Sequence, residues 1–140
     1  HVHKLDPTRV IDHASGWHDQ GAGLVRSLHV YFKKYSYRPD DMGRAVLLSE
    51  FGGFSHRVKG HSRSEHTFGY KVFDMPEELA LALKALYRDE IAPAKKRGLS
   101  AAVYTQLSDV EDELNGLLTY DRQVVKIHTE KMKEITDVVK

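Results

Sequence analysis

Short apolar blocks separated by polar loops fill the first half of the chain, and most are too short for helices but rich in β-branched and aromatic residues. RVIDH (Arg9–His13) reads as a strand after the turn-prone DPT, and SLHVYF (Ser27–Phe32) as a second. AVLLSEF (Ala45–Phe51) opens on an unbroken apolar run, which predicts a strand buried on both faces. LSAAVYTQ (Leu99–Gln106) is a fourth strand. Between them, ASGWHDQGAG (Ala14–Gly23) is a loop by its glycine and polar content, and KKYSYRPDDMGR (Lys33–Arg44) leaves little room for a full helix. The stretch from Gly52 to Phe73, about 20 residues, exceeds an ordinary connection, and loops of that length tend to be functional or disordered.

Helical spacing begins at Asp74, a plausible N-cap. Pro76 and two glutamates follow in the first turn, and Leu79, Leu83, Leu86 and Tyr87 line one face. Pro93 is expected to kink or break this helix, and KKRG (Lys95–Gly98) supplies cations and a glycine at its end. The tail RQVVKIHTEKMKEITDVVK (Arg122–Lys140) is predicted helical, with Val124, Ile127, Met132, Ile135, Val138 and Val139 as a packed stripe. Strand, helix, strand, helix is the order of a parallel α/β sheet. The first half fits it less well, since two of its three connections carry no convincing helix.

Composition narrows the function classes. A chain of 140 residues, 41% hydrophobic and 29% charged, suits a single domain with a moderate core and argues against disorder. A net charge of +1 gives no field to suggest nucleic acid or an acidic membrane as partner. No apolar run approaches the ~20 residues that span a bilayer. Cysteine is absent, which removes disulfides, thiolate metal sites and thiol nucleophiles together. The opening HVHKLDPTRV lacks both an initiating Met and the apolar core of a signal peptide, so the chain is expected to start inside a longer product. The compartment stays open, with the cytoplasm slightly favoured.

Glu50 is the leading candidate for chemistry, because ligands and catalytic side chains gather at the carboxyl ends of parallel strands. Gly52 and Gly53 beside it permit backbone angles or close approaches that a side chain would block. The bland alternative is an acid at a strand end, solvated or paired with Arg57. As a nucleophile or an acid/base, Glu50 needs a second carboxylate. DVEDE (Asp109–Glu113) could supply one, or a metal ligand, or simply be a solvated acidic loop. His56, His61 and His66 recur every five residues, which is not the i, i+4 pairing of a helical zinc site. No metal or cofactor is expected. His13, His18 and His29 lie near strand ends, where they could bond a polar ligand. Trp17, Tyr31 and Tyr104 also sit at or just past strand ends, placed to stack on a sugar or, alternatively, to pack in the core.

LDPTRVID…SGWHD, AVLLSEFGG and AAVYTQLSDVEDELNGLLTYDR together resemble the catalytic domain of glycoside hydrolase family 2, the β-galactosidases, β-glucuronidases and β-mannosidases. The resemblance implies the second half of a (β/α)8 TIM barrel, about four βα units, with the four predicted strands as strands 5–8. It implies that Glu50 is the nucleophile of a retaining enzyme and that Tyr31 hydrogen-bonds it. Tyr104 falls where many members have a tryptophan in the floor of the sugar site, and Trp17 lies in a loop suited to substrate contact. His29 joins them as a substrate-binding candidate. The implied acid/base belongs to an Asn-Glu pair, and no such pair occurs in the 140 residues, so it is expected upstream of His1.

The expectations are then a nucleophile-bearing part of a β-glycosidase, inactive alone, that binds a β-glycoside and contacts neither nucleic acid nor membrane. Open half-barrel edges and faces are expected to drive self-association. The alternatives are a non-catalytic carbohydrate-binding or assembly module and, more remotely, a metal-dependent hydrolase using the histidine-rich loop.

Overall fold

The computed structural model describes residues 1–14, 16–69 and 71–140. Three parallel strands form its main sheet: β1 (Val25–Val30), β2 (Ala45–Gly52) and β5 (Ala101–Thr105), in the order β1-β2-β5. A short helix, α1 (Val2–Leu5), precedes them. Two two-residue strands, β3 (Ser55–His56) and β4 (Val72–Phe73), pair in parallel and tie the two ends of the 52–73 segment together.

A half-barrel of four βα units is not what the chain forms. Arg9–His13, expected as a strand, builds no ladder. Among the described residues one backbone bond joins it to the body, from Leu24 N–H to Ile11 C=O (3.0 Å), and the loop after it lends Gly16 C=O to the edge of β1 at His29 N–H (3.4 Å). β1 reaches β2 through irregular chain, and only the β2-to-β5 crossover is helical. That crossover runs α2 (Pro76–Leu86), a π-helical turn (Tyr87–Ile91) and α3 (Ala92–Arg97) without a break. Pro93 therefore does not end the helix. Its ring would crowd the carbonyl four residues back, and the wider π turn just before it gives the backbone room. The N-cap is Met75 rather than Asp74.

The C-terminal helix is shorter than the sequence suggests, with α4 spanning Thr129–Asp137. Residues 124–128 lie extended against 117–119, with Thr119 N–H donating to Val124 C=O (3.0 Å) and Lys126 N–H to Leu117 C=O (2.9 Å). Three β-branched residues in VVKI already disfavour a helix there, and a buried ion pair at Lys126, described below, fixes the extended form.

Two apolar clusters make the core. Val46, Leu48 and Phe51 of β2 pack with Tyr35, Ile91, Ala94 and Leu99. Leu79 and Leu83 of α2 pack with Ile127 and Ile135. Leu86, Tyr87 and Tyr104 touch both clusters and join them.

Candidate functional site

β2 is not buried on both faces. Val46 and Leu48 point into the core and Leu47 is only half-buried, an ordinary alternation. Continued strictly, that alternation would send Glu50 into the core. A bulge prevents it. Leu28 and Ala102 both pair with Leu48, whereas Val30 and Tyr104, two residues on in each neighbour, pair with Phe51, three residues on in β2. The extra residue resets the phase, so Phe51 takes the core position (2% exposed) and Glu50 faces the other way. Ser49 fits the slipped register, its hydroxyl donating to Leu28 C=O (3.4 Å).

Glu50 thus stands at the carboxyl end of the central strand with its side chain 43% exposed. The Tyr31 hydroxyl, one residue past β1, donates to Glu50 Oε2. His29 Nδ1 lies 3.3 Å from the same oxygen, with its own side chain only 8% exposed. The Thr105 hydroxyl, at the end of β5, sits 3.1 Å from the Tyr31 hydroxyl. Each of the three parallel strands therefore contributes to one hydrogen-bonded group. Among the described residues Glu50 Oε1 has no hydrogen-bond partner, so one carboxylate oxygen is held and the other is open.

The loop before β1 clamps this group from the side. A Cβ on Gly16 would meet the His29 ring at 1.8 Å, and Gly16 has φ +69, so only glycine fits. Trp17 follows directly, its ring 5.4 Å from His29 and edge-on, 6.3 Å from Tyr31 and tilted, yet 62% exposed. An ion-pair cluster anchors the loop. Arg44 makes two bonds to Asp19 (2.6 and 2.9 Å) and two to Asp40 (2.8 and 3.0 Å), and a fifth to Ala22 C=O (2.9 Å). The guanidinium holds Asp19 well below the usual carboxylate range and Asp40 down at about 2.

Four of the five residues singled out from the sequence, Glu50, Tyr31, His29 and Trp17, come together here. Tyr104 does not join them. Its ring stands edge-on to Phe51 at 5.8 Å on the core face, burial pushes its phenol up, and a Cβ on Gly52 would strike it at 2.3 Å. Gly52 is thus required by core packing rather than by clearance for a ligand. Thr105 escaped notice in the sequence, although strand alternation places it opposite Tyr104 and so on the Glu50 side.

Other candidates are committed elsewhere. Asp109 pairs with Lys126 Nζ at 2.7 Å, both side chains fully buried, so it is neither solvated nor a ligand. Glu113 accepts from Gln106 Nε2 (3.1 Å). His56 Nδ1 bonds Phe73 C=O (3.0 Å) and His61 Nδ1 bonds Asp121 (2.8 Å). Arg57 pairs with Glu65. Among the described residues no three acids or histidines are placed to hold a metal ion, and no helix is long and apolar enough to cross a membrane. A cavity of about 590 Å³ lies between α2 and α4 and includes none of the Glu50 group. Glu134, one of its lining acids, is already shared by Lys84 and Lys131 (both 3.1 Å).

No family model matches the chain, and no curated protein matches it.

Proposed function

We propose that Glu50 is the nucleophile of a retaining β-glycosidase. The observation that carries the reading is the division of labour within its carboxylate. Oε2 accepts from Tyr31 with His29 Nδ1 3.3 Å away, while among the described residues Oε1 has no hydrogen-bond partner. A nucleophile needs that asymmetry. The Tyr31 bond to Oε2, with His29 beside it, orients the carboxylate, and the open oxygen attacks the anomeric carbon. As the glycosidic bond breaks, its electron pair goes to the leaving oxygen, which takes a proton from a second carboxylic acid about 5–5.5 Å from the nucleophile. Water then cleaves the glycosyl ester, giving its proton to that same group. In this reading the second carboxylate comes from outside the 140 residues, which contain no Asn-Glu pair. Trp17 offers a ring face for the apolar side of the sugar.

Leaving-group dependence tests this. A dinitrophenyl leaving group departs without protonation, so the pure chain should release about one equivalent from a dinitrophenyl β-glycoside and then stall, while simple alkyl β-glycosides stay intact. Glu50→Gln should abolish the burst. Absence of a burst across gluco-, galacto-, mannosyl and glucuronyl substrates would refute the nucleophile assignment.

The exposure of Trp17 also favours a second reading, a module that binds carbohydrate without reacting. β-Glycosides would then quench Trp17 fluorescence with no burst, and Glu50→Gln would leave binding intact.

A further inference from the structure

Proton counting around Tyr31 assigns a role to a residue at the end of the third strand. A phenol has one proton, and an ionised carboxylate can only accept. Since Tyr31 donates to Glu50 Oε2, its oxygen is left as an acceptor toward Thr105 Oγ1, 3.1 Å away. The hydrogen bond between the two hydroxyls therefore runs in one direction, from Thr105 to Tyr31. We propose that Thr105 is a positioning residue that donates to the Tyr31 oxygen and so fixes Tyr31 as the donor to Glu50.

Three features support the assignment. Thr105 is anchored independently of its side chain, because Gly53 N–H donates to its carbonyl (3.1 Å) and β5 pairs it with Gly52. A β-branched side chain has few χ1 options in a strand, so this anchoring carries through to the hydroxyl. In a relay of this kind, each donated bond also polarises the next O–H and strengthens it by roughly 10–30%. The relay crosses the sheet from β5 to β1 and back to β2, which makes the orientation of Glu50 depend on all three strands. Among the described residues His29, on the β1 side, also faces the carboxylate.

The assignment matters for catalysis only if Glu50 is the working carboxylate, but its test does not depend on that. The Tyr31 hydroxyl proton should be visible by proton NMR as a downfield, slowly exchanging resonance. Thr105→Val keeps the shape and removes the donor. It should speed exchange of that proton about two- to five-fold and move the resonance upfield, whereas Thr105→Ser should restore both. The rate of the dinitrophenyl burst should fall with Thr105→Val and recover with Thr105→Ser. In a Tyr31→Phe background, Thr105→Val should have no further effect on the burst rate, because its influence passes through Tyr31. A Tyr31 resonance unchanged by Thr105→Val, with native amide spectra throughout, would overturn the proposal. So would an equal Thr105→Val effect on the burst with or without the Tyr31 hydroxyl. Failure of the burst in every variant would sink the glycosidase reading and leave the NMR result to stand alone.

Discussion

Asp109→Ala should be among the most destabilising substitutions that leave the Glu50 group untouched. Asp109 and Lys126 are both fully buried, the ammonium donating to Asp109 Oδ1 (2.7 Å) and to Leu114 C=O (2.9 Å), and the same carboxylate oxygen accepts Gly116 N–H (2.9 Å). Removing one member of such a pair strands a charge without solvent and typically costs about 3–5 kcal/mol. A 140-residue chain at ~2.1 cal/mol/K per residue has an unfolding entropy near 0.3 kcal/mol/K, so Tm should fall by about 10–17 °C. Burial pulls Lys126 below its ordinary value of 10.5 and Asp109 pushes it back up, so the variant depresses it further. A lysine depressed in the folded state costs stability in full below its folded value, where it is charged in both states, and that cost shrinks as pH rises from there toward 10.5. The deficit of Asp109→Ala relative to the parent should therefore be largest near neutrality and narrow by pH 10. Urea denaturation followed by circular dichroism measures both effects. The double variant Asp109→Leu/Lys126→Met should recover most of the loss, since an apolar pair of similar volume carries no stranded charge. A Tm drop under about 3 °C, or a double variant no better than the single, would refute this reasoning.

Three further outcomes follow from the same structure. Asp40 and Asp19 are depressed in the folded state by Arg44, so their contribution is complete above the ordinary value of 3.8 and is lost as pH falls through about 2 for Asp40. Arg44→Ala should flatten that acid limb of stability and red-shift the fluorescence of the single tryptophan, Trp17; an unchanged acid limb would contradict the anchoring role. Deleting Ser49 removes the extra residue of the bulge and leaves Val46, Leu48 and Phe51 in strict alternation, so Phe51 should stay in the core and Glu50 on the opposite face. Its urea unfolding should show none of the roughly 3–5 kcal/mol loss that expelling a buried phenylalanine costs, and a loss of that size would dismiss the phase-reset account. β5 carries no charge and Ala101, Ala102 and Val103 are exposed along it, leaving an unprotected edge. Sedimentation velocity should show concentration-dependent self-association that Val103→Lys abolishes, and monomer at every concentration would count against it.

The three strands of the main sheet were readable from the chain, because β-branched and aromatic runs bounded by glycine and proline carry their own signal, whereas the two-residue strands β3 and β4 lay inside a stretch read as a loop. Arg9–His13 has that signal and no strand, since pairing depends on an edge that the sequence does not describe. The phase of β2 was hidden for a related reason. AVLLSEF reads as continuous apolar strand, and a single extra residue reverses the face of everything after it without changing the composition. Long-range charge pairs were equally silent. Asp109 was one acid of a run that suited a partner carboxylate, a metal ligand or a solvated loop, and Lys126 lay in a stretch predicted helical, until the fold brought them together. Glu50, Tyr31, His29 and Trp17 could be picked out one by one from their positions at strand ends. Thr105 could not, because its importance lies in a proton direction that appears only once Tyr31 is seen between two partners.

The most direct test of the central claim is where a sugar becomes attached. The chain should be incubated with dinitrophenyl 2-deoxy-2-fluoro-β-glycosides, whose glycosyl esters hydrolyse slowly, then digested and mapped by mass spectrometry. The account predicts one sugar per chain on the peptide containing Glu50, and none with Glu50→Gln. A sugar on any other carboxylate, or an unlabelled chain across the glycoside series, would contradict it.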